Sequence, residues 1–125
     1  MFRTRSFTRW MRTAGLTDDM LCEAVSEMSR GLIDVDLGGH VLKKRVSLPG
    51  QGKRGGARTI VATKMAKRWF YLYGFRKNER ANIGQDELKV FQEVAKELLG
   101  FDDRQLVAAL SSGEIVDVCH GNDKA

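Results

Sequence analysis

Cysteine and histidine, which exported proteins use in disulfides and many enzymes use as catalysts or metal ligands, are scarce in this 125-residue chain. It has one proline, two cysteines and two histidines, and it has no run of about 18 apolar residues that would span a membrane. The first residues are basic, but no apolar stretch follows them, so we expect no signal peptide and a cytoplasmic protein. Cys22 and Cys119 have no neighbouring ligands at metal-site spacing, which favours reduced thiols over a disulfide or a zinc site.

Acidic residues are almost missing from the middle of the chain. Between His40 and Arg80 a single acid, Glu79, stands among twelve lysines and arginines. Residues 1–80 carry 17 basic and 7 acidic side chains, a net +10, whereas residues 81–125 carry 4 and 9, a net −5. A segregated basic surface concentrates a polyanion and releases counterions on binding, so that binding weakens with salt. We therefore expect an anionic partner, with a merely solvated face as the alternative.

Apolar residues recur at three- and four-residue steps in four segments, which predicts four helices. The segments are residues 7–14, a stretch from the N-cap Thr17 to Gly31, residues 85–99, and a short last helix capped by Asp102 or Asp103. A brief strand over residues 2–5 and an edge strand over 114–118 are also expected. The predicted helices thus lie towards both ends of the chain.

The middle of the chain has the alternating and β-branched patterns of strands. Residues 41–48, 58–63 and 69–75 are predicted to form an antiparallel meander, and the glycine-rich segment 49–56 is predicted to be a loop. In the last strand Tyr71 and Tyr73 are predicted to share a face, and core packing is favoured over base stacking for its rings. Helices, then strands, then helices predict an α+β domain.

Residues 50–55 formally spell G-x-G-x-x-G. The dinucleotide-binding fingerprint needs a helix after the glycines and an acid about 20 positions on, whereas here a strand is predicted to follow and position 75 is Phe. A kinase glycine-rich loop joins two strands, but this chain is too short for a kinase and lacks its catalytic sequences. What remains is a segment whose backbone N–H groups can approach a phosphate, with Lys53 and Arg54 at its tip.

Three segments together resemble the RelE/ParE superfamily of bacterial toxins, most closely its RelE-like, HigB-type branch. They are Lys44-Arg45, residues 52–58, and residues 70–75 continuing into 77–82. The resemblance covers about residues 1–100 of a single domain 1–125, with 101–125 as a C-terminal extension. It implies a RelE-like compact fold, in which two N-terminal helices and a C-terminal helix pack on a small antiparallel sheet.

The resemblance also implies a function and partners. Members of the RelE-like branch are toxins of type II toxin-antitoxin modules that cleave mRNA on the ribosome, and so inhibit translation as mRNA interferases. The implied partners are a cognate antitoxin, expected to be of the helix-turn-helix type, and the ribosome with its mRNA. Two alternatives of other classes stay open: a ParE-like gyrase inhibitor and a non-catalytic nucleic-acid-binding protein.

Roles for single residues follow from matched positions. Arg58 matches the family's arginine that contacts the scissile phosphate, and Lys53 and Lys77 are the other catalytic candidates. Expected RNA or phosphate ligands are the remaining cations of these segments: Lys43, Lys44, Arg45, Arg54, Arg76 and Arg80. Some members have a tyrosine a few residues beyond the basic site, where this chain has Asn82 and Ile83, so a tyrosine-assisted reaction is not assumed.

RNA carries its own nucleophile, so cleavage of this kind needs neither a metal nor a cofactor. An arginine such as Arg58 is suited to clamp the non-bridging oxygens of the phosphate. Lys53 or Lys77 is a candidate general base, because neighbouring cations lower a lysine pKa. The sequence leaves the choice between the two lysines open, and we expect His40 to be structural.

Overall fold

The computed structural model describes residues 1–48 and 52–118, with the side chains of 52–55 left out. Four helices and six strands follow one another along these residues. In chain order they are β1 (Phe2–Thr4), α1 (Arg5–Ala14), α2 (Asp18–Ser29), β2 (Val35–Gly38), β3 (Val41–Leu48), β4 (Gly52–Thr63), β5 (Trp69–Arg76), α3 (Gln85–Leu99), α4 (Asp103–Ser112) and β6 (Ile115–Asp117). The predicted α+β class and the predicted meander, β3 to β5, are confirmed.

The six strands form one sheet in the order β2-β3-β4-β5-β1-β6. Every pair is antiparallel except β1 with β5, which is parallel. The sheet is larger than the predicted meander because short strands from outside it, β2, β1 and β6, extend it at both sides.

Apolar side chains on the two faces of the sheet build two separate cores. Helices α1 and α2 cover one face, with Phe7, Leu21, Val46 and Tyr71 in its core. Helices α3 and α4 cover the other face, where Ile60, Phe70, Phe75, Ala95 and Leu98 are buried. Because both faces are covered, the central strands β4 and β5 are buried on both sides, as their unbroken apolar sequences indicate.

The helices begin and end where local chemistry favours it. Thr4 and Thr17 cap α1 and α2 through their side-chain oxygens, and Asp102 and Gln105 form a reciprocal capping box at the start of α4. These caps satisfy backbone N–H groups that have no partner within the helix. Gly15 and Gly113 end α1 and α4 in the left-handed conformation, where a side chain would add strain.

An irregularity in β5 separates its two tyrosines. Ile60 pairs with Tyr73 while its neighbour Val61 pairs with Tyr71, so β5 carries one extra residue, Leu72. The alternation of side chains is reset at such a bulge. Tyr71 consequently joins the α1/α2 core and Tyr73 the α3/α4 face, and the prediction that they share a face is wrong.

Two further sequence predictions are corrected by the structure. Strand β4 begins at Gly52 and pairs with Leu48, so part of the segment predicted as a loop belongs to the sheet; ladder hydrogen bonds there outweigh the conformational entropy that glycine loses. Cys22 on α2 is disulfide-bonded, so the expectation of a reduced thiol is wrong; Cys119 lies outside the described residues. Over the described residues, no helix is long and apolar enough to cross a membrane.

Candidate functional site

Arg58 lies in the middle of the sheet, on the face that α3 and α4 cover. The ladder places it directly opposite Arg45 of β3 on one side and Phe75 of β5 on the other. Two arginines directly opposite each other on neighbouring strands repel. A carboxylate resolves this conflict: Arg45 Nε donates to Asp34 Oδ2 at 3.1 Å, and Arg58 Nε lies 3.8 Å from the same oxygen.

These three residues form the Arg45–Asp34–Arg58 cluster, which is graded from buried to exposed. The side chain of Arg58 is 8% exposed and that of Asp34 17%, whereas Arg45 is 52% exposed. Asp34 is held in place because its backbone N–H donates to Lys43 O at 2.9 Å. With two guanidinium groups and one carboxylate the cluster carries a net charge of +1. Its net positive charge and the exposed Arg45 side chain are compatible with the binding of an anion.

Lys43 and Lys44 lie on opposite faces of β3. Lys43 is on the side of the cluster and donates to Asn82 Oδ1 at 3.5 Å. Lys44 is buried against α2, where its ammonium group pairs with Glu27 at 2.7 Å and donates to Leu32 O at 2.8 Å. Lys44 is thus buried on the face of the sheet opposite to the cluster.

The basic residues at the end of β5 also diverge. Arg76 points towards α1, and its Nη2 donates to Ala14 O at 3.4 Å. Lys77 is exposed, and its backbone N–H donates to the O atom of Gly56, which lies two residues before Arg58 on β4. Of the predicted catalytic lysines, Lys77 is therefore at the same end of the sheet as the cluster. The backbones of Lys53 and Arg54 belong to β4, but their side chains lie outside the described part of the chain.

The guanidinium group of Arg80 is engaged in hydrogen bonds to other residues of the protein. Its guanidinium donates to both carboxylate oxygens of Glu87, to the hydroxyl of Tyr73 and to the O atom of Asn82, and it lies 5.6 Å from the centroid of the Phe75 ring. The hydrogen bond from Arg80, followed by the Gly84 N–H, lowers the pKa of Glu87 from 4.5 to about 2. Arg80 thus fastens the segment after β5 to the start of α3.

The aromatic rings of β5 are largely core residues. Trp69, Phe70, Tyr71 and Phe75 are buried, and burial followed by the charge of Glu27 raises the pKa of the Tyr71 hydroxyl far above its ordinary value. Tyr71 donates to Leu21 O at 2.7 Å. Tyr73 is partly exposed, and its hydroxyl accepts from Arg80. The preference for core packing over base stacking agrees with this burial.

Asp34 is the site residue that the sequence analysis did not find. It precedes β2, which the hydrophobic pattern did not predict, and so it was not associated with the basic strands. The alternating acids Asp34 and Asp36, a few residues before the basic strand β3, are the sequence signal that could have indicated it. No group of three or more metal-ligating side chains occurs within the described residues.

A comparison with protein families identifies the family of this chain. The family described as the RelE toxin of the RelE/RelB toxin-antitoxin system matches residues 1–118, which include every helix and strand from β1 to β6. No curated protein matches the chain. Because the family match covers nearly the whole sequence, this chain belongs to the RelE toxin family of toxin-antitoxin systems and has a cognate antitoxin as its implied partner.

Proposed function

We propose that this toxin is a ribosome-dependent mRNA endonuclease, an mRNA interferase of the HigB-type branch that inhibits translation. The observation that carries the proposal is the Arg45–Asp34–Arg58 cluster. Two arginines on adjacent strands share one carboxylate oxygen, and guanidinium groups bind phosphate oxygens by the same planar, charge-assisted hydrogen bonds that they make to carboxylates.

In the proposed reaction the 2′-hydroxyl of the RNA attacks the adjacent phosphorus, and the 5′-oxygen of the next nucleotide leaves. Negative charge grows on the non-bridging oxygens in the transition state. A buried cation stabilises that charge strongly because little water screens it, and Arg58 has the burial that this role requires. The reaction needs no metal.

Proton transfer is assigned to the lysines in this proposal. Lys77 is one candidate base or acid, because its backbone is bonded to Gly56, two residues before Arg58, and Lys53 is the other candidate. Phosphate binding is assigned to Lys43, Arg45 and Arg54. We leave out Lys44, Arg76 and Arg80, because each has its charged group engaged by other parts of the protein.

Dependence on the ribosome follows from the weakness of this acid-base chemistry. The cluster holds no histidine, and lysines are poor proton carriers near neutral pH unless neighbouring charges lower their pKa. A substrate already held in line removes much of the barrier by positioning alone. A ribosome presents mRNA in that way in the cytoplasm, and a helix-turn-helix antitoxin is proposed to hold the toxin inactive.

Inducible expression in a bacterial host tests the proposal. Primer extension on abundant transcripts compares the parent with Arg58→Ala and with Arg104→Ala, which removes an exposed arginine of α4. We expect growth arrest and new RNA ends in frame with codons for the parent and the Arg104 variant, and neither for Arg58→Ala. Arrest without RNA ends contradicts the proposal and points to gyrase. Binding of RNA without arrest or cleavage indicates a binding protein.

A further inference from the structure

Asp34 makes different contacts with its two arginines. The contact with Arg45 is a hydrogen bond of 3.1 Å, whereas the distance to Arg58 is 3.8 Å, an ion pair without a hydrogen bond. Both contacts use Nε of the arginine, on one edge of the guanidinium group. The Arg45 side chain as a whole is half exposed.

The position of Asp34 does not depend on the arginines. Its backbone N–H is hydrogen-bonded to Lys43 of β3, and β2 continues the pairing immediately after it, from Val35 opposite Lys43. The backbone of Asp34 is therefore anchored beside β3, and its carboxylate lies between the two guanidinium groups. An anion in that position attracts both cations towards itself and offsets their mutual repulsion.

We propose that Asp34 is a positioning residue for RNA cleavage: its carboxylate holds Arg45 and Arg58 in convergence so that one phosphate contacts both. This inference rests on the proposed function. Without the carboxylate, two like charges on directly opposed strand positions separate, and Arg45 turns into solvent. Asp34 does not contact the RNA in this account.

The predicted kinetic effect falls on the chemical step. Affinity for the programmed ribosome comes from the whole basic surface, whereas the cluster acts on charge that develops in the transition state. Asp34→Asn, which keeps the shape and removes the charge, should lower kcat by about ten- to a hundredfold, the loss expected from a small misplacement of catalytic groups. KM should stay within about twofold of the parent value, because contacts that bind substrate and transition state equally well are unaffected.

Three variants compared on programmed ribosomes provide the test. Asp36→Asn is the matched control, since Asp36 is exposed on β2 and its carboxylate accepts a hydrogen bond from the Gly38 N–H; it should cleave like the parent. Asp34→Glu restores the charge and should regain a large part of kcat. Circular dichroism and thermal melting confirm that each variant folds. If Asp34→Asn fails to fold, Asp34→Ser, which also removes the carboxylate, takes its place with the same expected loss of kcat.

Four results would overturn the inference. The first is a kcat of Asp34→Asn equal to that of the parent, and the second is faster cleavage, which would mean that the carboxylate had competed with phosphate. An increase in KM alone, or a glutamate variant as slow as the asparagine variant, contradicts positioning as well. Each of these presupposes a parent that cleaves.

A second readout separates this inference from the proposed function. Inorganic phosphate is titrated into the purified toxin while the Nε–H signals of Arg45 and Arg58 are followed by NMR. In the parent both signals should shift with one dissociation constant, and in Asp34→Asn they should shift separately and at higher phosphate. If this pattern holds but the parent cuts no RNA, the proposed function fails and the positioning of the arginines stands. Identical titrations in both proteins would refute it.

Discussion

Replacing Gly74 with alanine tests the arrangement of β5 between its two helix layers. Gly74 lies beneath the ring of Trp10 from α1. A Cβ atom built on Gly74 would be 2.6 Å from Cη2 of Trp10 and closer still to Cζ3 and Cε3. Carbon atoms in contact are normally about 3.5–4.0 Å apart, so the ring or the strand must move by about 1 Å.

The expected cost combines two effects. Overpacking of this kind destabilises by about 1–3 kcal/mol, and alanine recovers about 0.4–1 kcal/mol by restricting the unfolded chain. The net loss should be about 1–2 kcal/mol, which for a chain of this size lowers Tm by about 4–8 °C. The partly buried ring of Trp10 also packs on Phe7, with centroids 5.5 Å apart, so a shift away from Gly74 disturbs that contact as well.

A double-mutant cycle in thermal or urea unfolding measures this effect. Trp10→Leu provides the second mutation, and Gly74→Ala should cost much less in that background because the ring that it strikes is absent. Since Gly74 faces α1 and Arg58 faces the opposite side of the sheet, RNA cleavage at a permissive temperature should be unchanged. A fully additive cycle would show that Trp10 does not cover Gly74, and the assignment of faces would then be refuted.

Three further predictions use other contacts. Because the pKa of Glu87 is lowered from 4.5 to about 2 in the folded protein, its ionised form contributes stability above about pH 4.5 that is lost as the pH falls towards 2; Glu87→Gln should flatten Tm against pH in that window, and parallel curves would contradict the pairing with Arg80. Tyr71→Phe removes the hydrogen bond to Leu21 and should cost about 1 kcal/mol in urea unfolding, whereas no loss would place the hydroxyl elsewhere. RNA binding should weaken by a factor of about ten or more between 50 and 200 mM salt if several phosphates are contacted, and a flat response would argue against a polyanion partner.

Helices and strands could be predicted where apolar residues recur along the segment with the period of a helix or of a strand. Helix α3 is amphipathic over its whole length and begins and ends where predicted, at Gln85 and Leu99. Strand β3 shows the predicted alternation. Strand β2 was not predicted, because Val35–Gly38 is only four residues long and most of these residues are exposed. Its formation depends on pairing with β3 and not on burial of its side chains. The bulge at Leu72 likewise depends on the partner strand.

The sequence pointed to Arg58 and Arg45 as candidate site residues but not to the acid beside them. Their contact with Asp34 depends on tertiary structure, because it joins the residue before β2 to two strands. For Lys44 the sequence predicts burial but not the partner of its charge. Its place in the alternation is that of Leu42 and Val46, which indicates burial, but Glu27, the acid that pairs with it, comes from α2. The division of the chain near residue 100 stays a prediction.

Cleavage by purified toxin on programmed ribosomes tests the central claim most directly. The parent, Arg58→Gln and Arg104→Ala are each given the same mRNA, free and on ribosomes, at equal concentrations of folded protein. We expect the parent and Arg104→Ala to cut mRNA on ribosomes and to cut free mRNA very little. For Arg58→Gln we expect the cleavage rate on ribosomes to fall by at least about a hundredfold. Cleavage by Arg58→Gln at the parent rate, or no cleavage by the parent, would contradict the central claim.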